Sequence, residues 1–133
     1  PVQPDGGRRH DDAEAGGNID ARVRSNRIRG DGRCGGHFDG GTVLHWPDGA
    51  AGKGAILSGD IIYVVQDRRW VSFMYSYPNL IPLPAATVRH IVKAVEPFEF
   101  DRIYGAWWGK VVRDDAKATV RRSADRYIRA IEE

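Results

Sequence analysis

Hydrophobic positions fall into two regimes along the chain, and the change comes near residue 41. Before it stand only isolated aliphatics such as Val23 and Ile28, with no aromatic ahead of Phe38, whereas ten of the sixteen glycines and seven arginines lie there. A segment with so little apolar area to bury cannot offset its backbone entropy. Residues 1–34 are therefore expected to be irregular or disordered, with room for one short strand around Ile19 to Ile28.

From Thr42 onward apolar runs alternate with turn signals. "TVLHW" and "AILSGDIIYVV" read as two strands joined by the glycine-rich "PDGAAGKG", and "WVSFMYSY" reads as a third. After "PNLIPLP" the period changes: Val88, Ile91, Val92 and Val95 are spaced as one face of a helix that Pro97 ends. "FEFDRIYGAWW" is aromatic and β-branched enough for a further strand, in which the adjacent Trp107 and Trp108 would point to opposite faces and leave one exposed. "DDAKATVRRSADRYIRAIEE" closes the chain as a helix. Its buried stripe would be Val120, Ala124, Tyr127, Ile128 and Ile131, with Asp114 or Asp115 as the cap. The order strands, helix, strand, helix predicts an α/β fold with helices layered on a sheet, and no internal repeat interrupts it.

Composition narrows the function classes. At 133 residues the chain has room for one domain, and its net charge of +2 comes from basic residues interspersed with acidic ones. That pattern argues against a nucleic-acid partner. No apolar run approaches the roughly 20 residues that span a bilayer, so no membrane partner is expected, and no leader pattern is visible. A cytoplasmic location is the resulting expectation. The single cysteine, Cys34, excludes an internal disulfide framework.

Two short stretches carry the candidate chemistry. In "ILSGDII", Asp60 interrupts an apolar run. It is either a turn residue between strands or a carboxylate at the end of a buried strand, which is costly there unless paired or bound to a cation. In "CGGHFDGGTVLHW", His37 stands between glycine pairs whose backbone freedom could present its imidazole, although glycine-rich loops also hold idle histidines. Cys34, three residues earlier, is a free loop thiol or a further ligand. His45 faces away from Leu44 and Trp46 and is core or surface according to register; His90 lies among the charged positions of its helix and is expected in solvent. Most of the aromatics are expected in the core.

Taken together, "GGHFDGGTVLHW", then "GAILSGDII" some two dozen residues later, then "RRWVSFMYSYPNLIPLP" and "FDRIYGAWWGKVV", resemble the C-terminal half of the metallo-β-lactamase fold hydrolases over about residues 35–133. The resemblance implies a partial αββα half-domain, a mixed sheet packed by two helices, and a metal-dependent hydrolase. His37 would then be a ligand of one metal, zinc or another divalent ion, and Asp60 the bridge between two, with both close together at one end of the sheet. The family's H-x-H-x-D-H segment has no match upstream, where His10 in "RRHDDAEA" is the one histidine, and Trp107 or Trp108 occupies the neighbourhood of the family's last histidine ligand. The chain, which opens on "PVQP" without methionine, is accordingly expected to be a fragment or shortened form with an incomplete metal site, no assignable catalytic residue, and little activity alone on a small-molecule substrate. The alternative is a non-catalytic binding or self-associating domain derived from that fold, a homodimer through an open sheet face or an exposed tryptophan.

Overall fold

A computed structural model describes residues 24–27, 37 and 41–133; for residues 24–27 it describes the backbone. Its central element is a five-stranded mixed sheet in the order β1 (Arg24–Arg27), β2 (Thr42–Trp46), β3 (Ala55–Gly59), β8 (Arg102–Gly105), β9 (Val111–Val112). All neighbours are antiparallel except β3 and β8, which run parallel. A parallel pair needs a long crossover. Residues 60–101 supply it, through the two-stranded ribbons β4 (Tyr63–Val64) with β5 (Val71–Ser72) and β6 (Met74–Ser76) with β7 (Ile81–Pro82), followed by helix α2 (Ala85–Val95). Helix α3 (Ala116–Glu132) ends the chain. The protein is thus an α/β fold built on a mixed sheet. β1 falls inside the stretch where the sequence allows a short strand and pairs along β2; the rest of the expected irregular segment lies outside the described residues.

Each element follows from its apolar pattern. In β2 the alternation buries Val43 and His45 and leaves Leu44 and Trp46 half-buried, which places His45 on the core side. Its Nε2 lies 2.9 Å from the Glu99 carbonyl, and its ring 4.8 Å from that of Phe98. In α2 the buried residues Thr87, Val88, Ile91 and Val95 form one stripe; in α3 the stripe is Ala116, Thr119, Val120, Ser123 and Ala124. The two stripes close over Val43, Ile56, Ile103 and Val112 of the sheet, with Phe73 and Leu83 from the crossover completing one core.

β2 and β3 are joined by a left-handed turn that includes the one-turn segment α1 (Gly49–Gly52), in which Ala50 and Ala51 both have positive φ. Gly54, at φ +85°, brings the start of β3 so close to the segment before β8 that a Cβ there would collide with the Glu99 carbonyl oxygen. Only glycine permits that approach.

Several expected elements are interrupted. "AILSGDIIYVV" is not one strand: β3 stops at Gly59, whose φ is +55°, and residues 60–62 turn before β4. The buried Ser58 hydroxyl donates to the Ile62 carbonyl at 2.6 Å and so satisfies a backbone group that the broken ladder would leave unpaired. "WVSFMYSY" divides at Phe73, which is fully buried. "FEFDRIYGAWW" forms a strand only over Arg102–Gly105, so Trp107 and Trp108 lie in the connection to β9, and both are exposed rather than one. Asp115 occupies the N-cap position of α3 but makes no side-chain cap; it has left-handed dihedrals, and its N–H donates to the Asp101 carboxylate at 2.8 Å instead. Ile131, expected in the buried stripe, is 40% exposed, because the helix runs past the core. His90 is half-buried with its Nε2 out of solvent, contrary to the charged-face reading.

Candidate metal site

The end of β3 sets the site. Because β3 stops at Gly59, Asp60 leaves the sheet edge with its carboxylate turned back toward the protein: Oδ1 is buried and has no hydrogen-bond partner. Its other oxygen, Oδ2, lies 3.8 Å from Nε2 of His37. Two residues separated by 22 intervening positions in sequence thus meet at one end of the sheet.

His37 is held from its far side. Its Nδ1 lies 3.0 Å from the Met74 carbonyl in β6, an acceptor, so Nδ1 carries the proton that is donated. In the neutral ring this tautomer leaves the lone pair on Nε2, the nitrogen nearer Asp60. A proton on Nε2 would make a simple ion pair. A divalent cation would make both groups ligands, and the 3.8 Å separation fits within the roughly 4.2 Å that two bonds of about 2.0 to 2.2 Å can span.

The surroundings are aromatic. Tyr77 lies against His37 with ring centroids 5.3 Å apart and against Tyr63 at 4.3 Å. Its hydroxyl is 3.4 Å from both the Asp60 and the Ser72 carbonyl oxygens, which ties the turn after β3 to the β4–β5 ribbon. Burial first, and then the Asp60 carboxylate, push the Tyr77 phenol above the ordinary tyrosine range, so it remains a neutral hydrogen-bond donor. Side-chain exposures of 19% for His37 and 31% for Asp60 leave the pair screened on the aromatic side yet reachable.

Of the residues singled out in the sequence, the structure brings together His37 and Asp60. His45 does not join them, since its partner Glu99 stands before β8 begins, at the other end of the β3–β8 pair. His90 belongs to α2. Cys34 and His10 lie outside the described residues, and among the described residues no group of three or more histidine, cysteine, aspartate or glutamate side chains could hold a metal. Sequence reasoning missed Tyr77 as a site residue and the Met74 carbonyl altogether; a backbone acceptor has no sequence signature, and Tyr77 was one aromatic among many.

A wide groove of about 720 Å³ lies elsewhere, between β5 and α3, lined by Arg69, Trp70, Ser72, Ser123, Arg126 and Tyr127 among others. It contains no histidine, and its one carboxylate, Asp67, is held by Arg69 at 2.7 Å. The chemistry therefore favours the His37–Asp60 pair over the larger space.

No family model matches the chain, and no solved structure matches it. It is similar to a Bacillus subtilis (strain 168) protein described as "Uncharacterized protein YmaE", with 60% identity over 99 residues, or 74% of this chain and 36% of that protein. The chain thus spans about a third of the length of the curated relative it matches.

Proposed function

We propose that this chain supplies one half of a metal-dependent hydrolase site of the metallo-β-lactamase-like kind, with His37 and Asp60 as its metal ligands. One observation carries the reading: a buried carboxylate oxygen, Asp60 Oδ1, has no hydrogen-bond partner and belongs to the same side chain that stands 3.8 Å from a histidine nitrogen. A buried carboxylate oxygen without a donor is costly even on a side chain that partly reaches solvent, and a cation is a partner that would relieve it. The Met74 carbonyl keeps the imidazole in the ligating tautomer, and Tyr77 closes off water on one side. When bound, zinc or a related divalent ion would supply a Lewis acid and an acidified water for attack on an ester, thioester, amide or phosphoester. Two ligands fall short of the three that a catalytic zinc takes from protein, so the pair forms an incomplete site, as a fragment or shortened form of such a hydrolase would have.

The test is zinc titration by calorimetry, with the histidine ring resonances followed by NMR. One weak equivalent should bind, perturb His37, and be lost in His37→Ala and in Asp60→Asn, while zinc-, manganese- and iron-loaded protein turns over ester, thioester and phosphodiester substrates no faster than buffer. Zinc binding that survives both substitutions would refute the site. Turnover that both substitutions abolish would refute its incompleteness, and would point to Cys34 or His10 as the missing ligand.

A further inference from the structure

We propose that the turn bearing Trp107 and Trp108 docks on an anionic lipid bilayer, with the two indoles entering its interfacial layer and Arg68 and Lys110 meeting its phosphates. The inference stands apart from the His37–Asp60 site and needs no metal.

The turn is both displayed and held. Between β8 and β9, Ala106 to Gly109 are all exposed; Trp107 is 63% exposed and Trp108 fully so, whereas the other two tryptophans, Trp46 and Trp70, are half-buried. Backbone bonds fix the base of the turn. The Gly105 N–H donates to the Lys110 carbonyl at 2.8 Å, the Lys110 N–H donates to the Trp107 carbonyl at 3.0 Å, and Gly109 completes the bend at φ +71°. The loop before β5 braces it. Arg68 donates to the Gly109 carbonyl at 2.9 Å, and the Lys110 ammonium donates to the Gln66 side-chain oxygen at 2.9 Å. Two large apolar rings held in water by an ordered backbone mark a contact surface.

Indole chemistry and the neighbouring charge identify the contact. An indole joins a large apolar ring to one N–H donor, a combination suited to the boundary between hydrocarbon and headgroups. The cations are placed to match. Arg68 directs its guanidinium to the carbonyls of Val65, Gln66 and Gly109, and Lys110 bonds a neutral amide, so neither meets a carboxylate among the described residues. The adjacent acid, Asp67, is already held by Arg69 at 2.7 Å. Two positive charges thus stand at the base of two protruding rings, where long cationic side chains can reach lipid phosphates while the rings enter the less polar layer.

Single-stranded nucleic acid also combines stacking with phosphate charge, but it needs successive ring faces along a basic groove. The groove beside this loop offers Trp70, and one face of that ring is taken by the Arg126 guanidinium at 4.4 Å. The observations therefore favour the bilayer. Such peripheral contact needs no spanning segment, so it is compatible with the finding that no helix among the described residues is long and apolar enough to cross a membrane.

The experiment mixes the full 133-residue chain with vesicles of phosphatidylcholine alone and of phosphatidylcholine with phosphatidylglycerol, and measures bound protein by flotation. Each basic side chain near an anionic leaflet contributes roughly fivefold in binding, so the two cations predict roughly 25-fold tighter binding to the phosphatidylglycerol vesicles. Lipid brominated in its acyl chains should quench the tryptophan fluorescence. The Trp107→Ala, Trp108→Ala double variant should bind roughly tenfold more weakly and lose the quenching, while its circular dichroism and melting temperature stay those of the parent because neither ring belongs to the core. Lys110→Gln should lose roughly fivefold on phosphatidylglycerol vesicles and nothing on phosphatidylcholine. Failure to bind phosphatidylglycerol vesicles, or binding that the double variant retains, overturns the proposal. A fluorescence shift of the two indoles produced by oligouridylate or by protein concentration, and not by vesicles, overturns it as well, and would assign the turn to nucleic acid or to a second copy of the chain.

Discussion

Replacing Gly54 by alanine tests whether the close approach of β3 to β8 positions the functional edge. At φ +85° an alanine carries the left-handed penalty, about 1 to 2 kcal/mol. Its Cβ would also collide with the Glu99 carbonyl oxygen and stand 3.0 Å from the Glu99 carbonyl carbon, backbone atoms that no rotamer change can move aside. Relief requires the two segments to separate, which strains the bonds from Asp101 N–H to the Gly54 carbonyl at 3.0 Å and from Gly54 N–H to the Gly49 carbonyl at 2.9 Å. At about 1 kcal/mol net for each bond, the total reaches about 3 to 4 kcal/mol. Gly52 provides the control: its φ is +83° but nothing lies within 4 Å of the place an added methyl would take, so Gly52→Ala should cost only the backbone term, about 1 to 2 kcal/mol. Urea unfolding followed by circular dichroism would measure both, and in thermal melts the gap of about 2 kcal/mol corresponds to roughly 6 to 10 °C for a domain of this size. Equal destabilisation of the two variants would refute the argument that contact with Glu99, rather than dihedral strain alone, makes glycine necessary at residue 54.

Phe73 is fully buried and meets Tyr127 edge-on at 5.8 Å, so Phe73→Ala should cost about 3 to 5 kcal/mol by denaturant unfolding and Phe73→Leu distinctly less. The pH dependence at Tyr77 follows from the direction of its shift. Its folded pKa is raised above the ordinary 10.0, so its contribution to stability is complete below about pH 10 and is lost as pH rises beyond that. Tyrosinate absorbance should show Tyr77 holding its proton above the ordinary tyrosine range, and Asp60→Asn should lower the Tyr77 value without restoring it to normal, because burial is the larger cause.

Where hydrophobic spacing was regular, the fold was legible in the sequence. The four apolar positions of α2, the terminal helix and the alternation in β2 each reflect one face buried against one core, and that is what periodicity reports. The same reasoning failed where an apolar run turns a corner. Ile61 and Ile62 are buried and hydrophobic like strand residues, yet they belong to the turn after Gly59, because a core can be filled from a bend when Ser58 supplies the missing hydrogen bond. Trp107 and Trp108 have the side chains of strand residues. The backbone there bends because Gly109, at φ +71°, and the Lys110 to Trp107 hydrogen bond close a turn.

The candidate site was half legible, and one physical event accounts for the half that was. A strand that must leave a sheet abruptly favours a glycine, and in a parallel pair both departures happen at the same edge. Gly59 followed by Asp60, and Gly105 followed by Ala106, are two instances of that departure, the first marked by a register irregularity between Leu57 and Gly59. Short motifs of this kind are informative because the glycine fixes where the chain turns and the next residues are the first free to face a ligand instead of a neighbouring strand. What the motif cannot encode is the other side of the pocket. The Met74 carbonyl that sets the His37 tautomer and the Tyr77 ring that covers it come from the β6 ribbon, placed there by the burial of Phe73 beside them, and that placement exists only once the core has closed.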